Sequence, residues 1–184
     1  IIALEHFGRS GTGLLHSLLD GHPEVCSLPS IYFTQFFDPC QWEKLSSGGL
    51  RDIVDRFITA YPVLFDAKES SLVATGSNQF IARLGEQEGM TQVGEHGNEA
   101  LALDRNQFRD SLNQYLANCD KLDALRFFNM VHRAYDKILK NRLNKSVMFY
   151  HIHNADVPAR LNFIRVAPDA QWLVMVREPL QSCE

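Results

Sequence analysis

The residues best suited to chemistry stand near the start of the chain, where small and polar side chains follow an apolar run. The run is Ile1-Ile2-Ala3-Leu4, and the glycine-rich loop after it is Gly8-Arg9-Ser10-Gly11-Thr12-Gly13. Leucines at helical spacing come next, so the pattern predicts a buried strand, a tight loop and a helix. Backbone N–H groups gather at the N-terminus of such a helix, where an anion is favoured.

The helix predicted after the glycine-rich loop is amphipathic. Four leucines share one face at helical spacing, and three polar residues share the other. The leucines are Leu14, Leu15, Leu18 and Leu19, and the polar residues are His16, Ser17 and Asp20.

The positions after the loop distinguish between kinds of phosphate site. Gly8 and Gly13 have the spacing of a Walker A loop, in which Lys and Ser or Thr follow and bind the terminal phosphates and Mg²⁺. Leu14 and Leu15 occupy those positions here, so metal-dependent triphosphate chemistry lacks two key groups. The dinucleotide pattern G-x-G-x-x-G also fits poorly, because its third Gly would fall on His16.

The loop retains one cation, Arg9, and two hydroxyls, Ser10 and Thr12. Gly11 and Gly13 allow the backbone to approach a bulky group closely. This combination suits a doubly charged anion bound without a metal, with Arg9 beside the bond that breaks.

Two later segments are predicted strands that end in functional side chains. Residues 147–152 lead into His151 and His153, which point to the same side because they are two apart on an extended segment. Residues 172–176 lead into Arg177, whose guanidinium can bind a second phosphate. Strand, helix and strand at this spacing form a parallel βαβ unit. Parallel sheets bind ligands beyond the carboxyl ends of their strands, so we expect the loop, the histidines and Arg177 at one edge.

The middle of the chain is predicted to be mainly helical. Apolar residues at helical spacing predict helices over 50–61, 108–116 and 122–142, and a short one at 80–84. We therefore expect one α/β domain over 1–184, with a parallel sheet flanked by helices and a helical insert at about 48–143.

Composition limits the classes of function. The 184 residues are 45% hydrophobic and 22% charged, as in one globular domain. A net charge of −4 disfavours a broad nucleic-acid surface, and no apolar run approaches the roughly 18 residues of a membrane span. We expect a cytoplasmic protein. Because the chain begins inside a strand pattern and stops soon after another, we expect both ends to be clipped.

Two segments resemble the sulfotransferases that use 3′-phosphoadenosine 5′-phosphosulfate (PAPS). The first is Arg9-Ser10-Gly11-Thr12-Gly13-Leu14-Leu15, followed by Leu18-Leu19-Asp20 and His22-Pro23-Glu24-Val25. The second is Ala167-Pro168-Asp169-Ala170 followed by Trp172-Leu173-Val174-Met175-Val176-Arg177-Glu178-Pro179. The resemblance is strong at 1–25 and 145–179 and weak between them. Gly13 departs from the Thr or Trp usual there, and Glu178 from the usual Asp.

The resemblance implies a P-loop NTPase-like three-layer fold, transfer of a sulfonate from PAPS to a hydroxyl or amine acceptor, release of 3′-phosphoadenosine 5′-phosphate (PAP), and no metal. Binding of PAPS would fall to the loop and its neighbours, and the 3′-phosphate to Arg177. The implied PAPS-binding residues are Arg9, Ser10, Gly11, Thr12, Gly13, Leu14 and Arg177. The implied catalytic residues are Arg9, His153 as general base, and His151, which stands where the family has Lys and would contact the sulfonate.

Several alternatives remain open at this point. The chain could be a P-loop kinase or another nucleotide-binding protein, or a module that binds PAP without catalysis. Other branches of the sulfotransferases use Glu as the base, and His151 and His153 could instead form a metal pair. The acceptor, whether a small molecule, a carbohydrate or another hydroxyl compound, and the oligomeric state are not set by these patterns.

Overall fold

A computed structural model describes most of the chain. The described ranges are 1–6, 10–28, 35–50, 52–68, 71–75, 78–82, 90–139, 145–153 and 156–178, with 71–75, 78–82 and 153 described through their backbone alone. The strands are β1 (Ile2–His6), β2 (Val25–Cys26), β3 (Ser71–Thr75), β4 (Asn78–Ala82), β5 (Val147–His153) and β6 (Gln171–Met175). The α-helices are α1 (Thr12–Leu19), α2 (Pro39–Ser46), α3 (Ile53–Ala60), α4 (Arg105–Leu116), α5 (Ala124–Ile138) and α6 (Val157–Val166).

Four of these strands form a parallel sheet in the order β2-β5-β1-β6. The first strand lies in the middle, paired with β5 on one side and β6 on the other. Its last residue, His6, stands opposite His153 of β5 and Met175 of β6. The prediction of an α/β fold with a parallel sheet is confirmed, and the three strands end level with one another.

The two faces of the sheet carry different cores, because alternate residues of a strand point to opposite faces. On one face lies a large aromatic core, in which the Tyr150 ring of β5 packs 4.7 Å from the Phe163 ring of α6. On the other face Leu4, Val25 and Phe149 form a smaller core. Leu15 and Leu19 of α1 pack against this smaller core, so α1 and α6 cover opposite faces.

The predicted helices and strands around the sheet are largely confirmed, with bounds that differ by a few residues. Helix α6 starts at Val157, because the Asp156 carboxylate accepts a hydrogen bond from the Ala159 N–H at 2.9 Å and Pro158 occupies the first turn. None of the described helices is long and apolar enough to cross a membrane.

Two local predictions are wrong. The apolar face of α1 is narrower than predicted, since Leu15 and Leu19 pack inward while Leu14 and Leu18 are 68% and 70% exposed. The short helix predicted at 80–84 is replaced by strand β4, which pairs with β3 in antiparallel register. Phe80 and Ile81 favour strands by type, and a neighbouring strand supplies the backbone partners that a single helical turn would lack.

A buried ion pair joins α5 to the start of β5. The Lys145 ammonium lies 2.7 Å from the Asp136 carboxylate, and their side chains are only 5% and 10% exposed. Cys26 of β2 lies nearby, and burial, followed by the negative charge of Asp136, raises the pKa of its thiol to about 11. Cys26 therefore stays a neutral thiol at physiological pH. Together, Cys26, Asp136 and Lys145 form a buried cluster where β5 begins.

Removing Lys145 should destabilise the fold strongly, because Lys145→Met would leave the Asp136 carboxylate buried without its partner. We expect a loss of about 3 to 5 kcal/mol in the free energy of unfolding. The matched control is Arg109→Met, which breaks an ion pair of the same 2.7 Å length to Asp55 whose side chains are 36% and 58% exposed. That loss should stay below about 1 kcal/mol. Urea unfolding measures both, and equal losses would contradict a structural role for burial at Lys145.

Candidate functional site

The carboxyl edge of the sheet is where β1, β5 and β6 end, at His6, His153 and Met175. The glycine-rich loop leaves β1 here, and Arg177 follows β6 by two residues. Residues that are far apart in the sequence therefore meet at one edge. Arg9 lies outside the described residues, as do Phe7 and Gly8, so its predicted role stays a prediction.

The end of the glycine-rich loop forms the N-terminus of α1. Gly11 is the N-cap with φ of 87°, a left-handed conformation that glycine adopts readily, and its carbonyl accepts from the Leu15 N–H at 3.2 Å. A Cβ on Gly11 would lie 3.9 Å from Met175 Cε, so the loop lies against the end of β6. Nothing lies within 4 Å of where a Cβ on Gly13 would stand.

The first turn of α1 suits an anion for two reasons. The helix itself supplies no carbonyl partner for its first N–H groups, and Gly11 has no side chain that could cap them. The positive end of the helix dipole points the same way. Ser10 is buried at this turn, whereas Gly13 and Leu14 are exposed. The backbone from Ser10 to Leu14 could therefore hold a phosphate or sulfate group, and no acidic residue stands in the first turn.

Arg177 is exposed just beyond the end of β6. The preceding residue, Val176, is 72% exposed, so this segment runs along the surface of the carboxyl edge. Arg177 follows the strand that pairs directly with β1, and the glycine-rich loop follows β1 in the sequence. An exposed guanidinium at this edge can bind an anionic group.

Three histidines, His6, His16 and His151, lie close together on the face of the sheet that α1 covers. The Nδ1 atom of His16 lies 3.0 Å from the Nε2 atom of His151, which is a hydrogen bond between the two imidazoles. The rings of His6 and His151 are perpendicular, with centroids 5.7 Å apart. His151 is 2% exposed and contacts His16, so its predicted contact with a sulfonate stays a prediction.

The side chain of His153 is not among those described, and its predicted role as general base stays a prediction. Its backbone stands opposite His6 at the last residue of β5. This position is at the carboxyl edge, two residues beyond the buried His151 on the same strand.

Burial is the main influence on the pKa of His16. It lowers the pKa of His16, and the negative charge of Asp20 raises it in partial compensation. Near neutral pH His16 is therefore mainly uncharged. One of the two rings donates its N–H and the other accepts.

His16 is the residue of this cluster that the sequence analysis missed, because it was assigned to the polar face of α1. A signal for it exists in the sequence. Thr12, Leu15, His16 and Leu19 follow the i, i+3, i+4, i+7 spacing of a single buried stripe. That stripe, rather than the leucines alone, is the one that faces the sheet.

A buried carboxylate lies on the opposite face of the sheet, near the carboxyl edge. Glu5 of β1 is buried, and both of its oxygens lie 3.4 Å from Nη1 of Arg160 on α6. Because Glu5 and His6 are neighbours on a strand, they point to opposite faces. Across the part of the chain that the structure describes, no three His, Cys, Asp or Glu residues are placed to hold a metal ion together.

Gly11 and Gly13 should respond differently to a methyl group. Gly11→Ala forces a non-glycine residue into the left-handed region and should cost about 1 to 2 kcal/mol of stability. Gly13→Ala enters open space in the helix and should be neutral or stabilise by up to about 1 kcal/mol. Urea unfolding of the two variants tests this, and a Gly11→Ala variant as stable as Gly13→Ala would contradict the conformation assigned to the loop.

Comparison with known proteins supplies no family for this chain, because no family model, no curated protein and no solved structure matches it. A function therefore has to follow from the geometry of the carboxyl edge and from the sequence patterns that meet there.

Proposed function

We propose that this chain is a sulfotransferase that moves a sulfonate from PAPS to a hydroxyl or amine acceptor without a metal. One observation carries the proposal: β1, which the glycine-rich loop follows in the sequence, pairs directly with β6, which Arg177 follows, and both strands end at the carboxyl edge. The loop and Arg177 belong to the two segments that resemble sulfotransferases, and about 140 residues separate those segments in the sequence.

The residues present fit such a ligand. The N–H groups at the start of α1, with Ser10 and Thr12, bind the 5′-phosphosulfate, and the open space at Gly13 lets that group approach the backbone. Arg177 binds the 3′-phosphate through its forked guanidinium. The backbone N–H of Leu14 also binds the 5′-phosphosulfate. Two anionic groups on one nucleotide thereby bridge the ends of two neighbouring strands.

The chemistry assigned to the chain is an in-line displacement at sulfur. A new bond forms between sulfur and the acceptor atom as the bond between sulfur and the bridging oxygen of the 5′-phosphate breaks. His153 takes the proton of the acceptor. Arg9 and the N–H groups of the loop stabilise the negative charge that grows on the bridging oxygen, which is electrostatic catalysis of the oxyanion kind. His151 lies two residues before His153 on β5 and is hydrogen-bonded to His16 of α1.

The proposal extends to the finer fold. A P-loop NTPase-like three-layer arrangement accounts for a parallel sheet with β1 in its middle and helices on both faces. Helices α3, α4 and α5 all fall between β2 and β5 in the chain, within the mainly helical insert proposed at 48–143. In this arrangement the insert shapes the acceptor site.

The test is calorimetric titration of the chain with PAP and with ATP in buffer containing EDTA. We expect PAP to bind at least about tenfold more tightly than ATP, and Arg177→Ala to weaken PAP binding by about ten- to a hundredfold through loss of a charge-assisted contact. The matched control is Arg165→Ala. Arg165 is an exposed arginine in the last turn of α6, which precedes the amino end of β6, so its removal should leave PAP binding unchanged.

Other outcomes distinguish the alternatives. No PAP binding by a chain shown to be folded by circular dichroism would overturn the proposal, and tighter binding of ATP once Mg²⁺ is added would favour a kinase. If PAP binds, turnover of labelled PAPS with a panel of hydroxyl and amine acceptors decides between an enzyme and a binding module. An enzyme predicts that Arg9→Ala slows turnover more than it weakens PAP binding.

A further inference from the structure

The hydrogen-bonded imidazoles of His16 and His151 connect the helix of the proposed anion site to the centre of the sheet. His16 is one turn beyond Thr12, so its backbone lies only about 6 Å along the helix from the first turn. His151 is on β5, between the strand's apolar start and the carboxyl edge. The pair therefore joins the element that would hold an anion to the strand that carries His153.

The protonation states of the pair differ in what they allow. When both rings are neutral, one N–H donates across the 3.0 Å separation to the lone pair of the other ring. One added proton converts this into an imidazolium donating to an imidazole, which is a stronger, charge-assisted hydrogen bond. Two added protons would set N–H against N–H and break the contact. The intact pair thus holds either no extra proton or one.

The charged and titratable groups around the pair set when it takes that proton. His6 approaches His151 from β1, and Asp20 lies four residues beyond His16 on α1. From β5, His153 stands two residues further along the strand. From β6 comes Met175, which is uncharged, and from the smaller core come only apolar side chains. For His16, burial opposes the charged state and the negative charge of Asp20 favours it.

We propose that the His16–His151 pair takes up a proton when a phosphate monoester or a phosphosulfate binds at the N-terminus of α1, so that the pair is a proton-linked positioning element for that ligand. The inference rests on the proposed function for the identity of the ligand. The negative charge of a ligand one helical turn away lies within a Debye length and favours the imidazolium. The stronger hydrogen bond then holds α1, and with it the first-turn N–H groups, against the sheet.

Linkage gives the sign and the limit of the effect. If binding takes up protons, affinity must rise as the pH falls, by up to tenfold per pH unit when one full proton is taken up. The increase ends once the pair already holds its proton before the ligand arrives. A ligand whose own charge does not change near neutral pH, such as inorganic sulfate, shows this dependence directly.

The experiment is calorimetry of PAP binding at neutral pH in two buffers with different ionisation enthalpies, which counts the protons taken up. The unmodified chain should take up about half a proton more than His16→Gln, because Gln keeps a hydrogen-bonding side chain but does not titrate. Protons that PAP itself exchanges cancel in this difference. His151→Gln should give the same deficit. His22→Gln is the matched control, since His22 is an exposed histidine in the turn after α1 and should leave the proton count unchanged.

A second measurement needs no variant. The ring ¹⁵N signals of His16 and His151 in the unmodified chain should move toward the protonated position when PAP is added at neutral pH. Unmoved ring signals, or equal proton counts with and without His16, would overturn the inference while leaving PAP binding and the proposed function in place. If PAP does not bind but sulfate does, with proton uptake lost in His16→Gln, the proposed function fails and the inference stands. If neither anion binds to the folded chain, both are overturned.

Discussion

The pairing of β1 with β5 on one side and β6 on the other is the constraint on which the site depends. Parallel register sets His6, His153 and Met175 at one level, so whatever follows each strand emerges at the same edge. Only the middle strand of such a group can deliver a loop next to both neighbours. The glycine-rich loop follows that strand, and the left-handed Gly11 turns it at once into α1 against the end of β6. Small changes in register would separate these groups.

The two faces of the sheet differ in the size and packing of their cores. The face of α6 is filled by closely packed aromatic rings, such as Phe37 with Tyr150 at 5.1 Å, which make it a stiff platform. The face of α1 has a much smaller core, and its helix contacts the sheet through two leucines and the His16–His151 hydrogen bond. Because few apolar contacts hold α1 to the sheet, the His16–His151 hydrogen bond contributes a larger share of that packing. That imbalance is why protonation of this one pair can influence the position of the loop.

The sequence predicts the sheet well and the site in part. Strands β5 and β6 and helix α6 follow from apolar runs and from Asp156 as a cap, because those signals are local. The width of the apolar face of α1 does not follow, since Leu14 and Leu18 are exposed although helical spacing puts them beside Leu15 and Leu19. His16 was misplaced because its partner, His151, is 135 residues away. The sequence predicts a helix at 80–84 where β4 lies, because Phe80 and Ile81 fit both periods, and the pairing with β3 favours the strand.

Mapping of the backbone amide signals of the chain during titration with PAP tests the central claim most directly, since it locates the ligand on the fold. The amides from Ser10 to Leu15 and that of Arg177 should move the most, and those around Lys145, where β5 begins, should not move. That result would establish that the loop and Arg177 bind one ligand at the carboxyl edge. Shifts concentrated elsewhere on the chain, or shifts at the loop with none at Arg177, would contradict a shared site and with it the account of how this edge works.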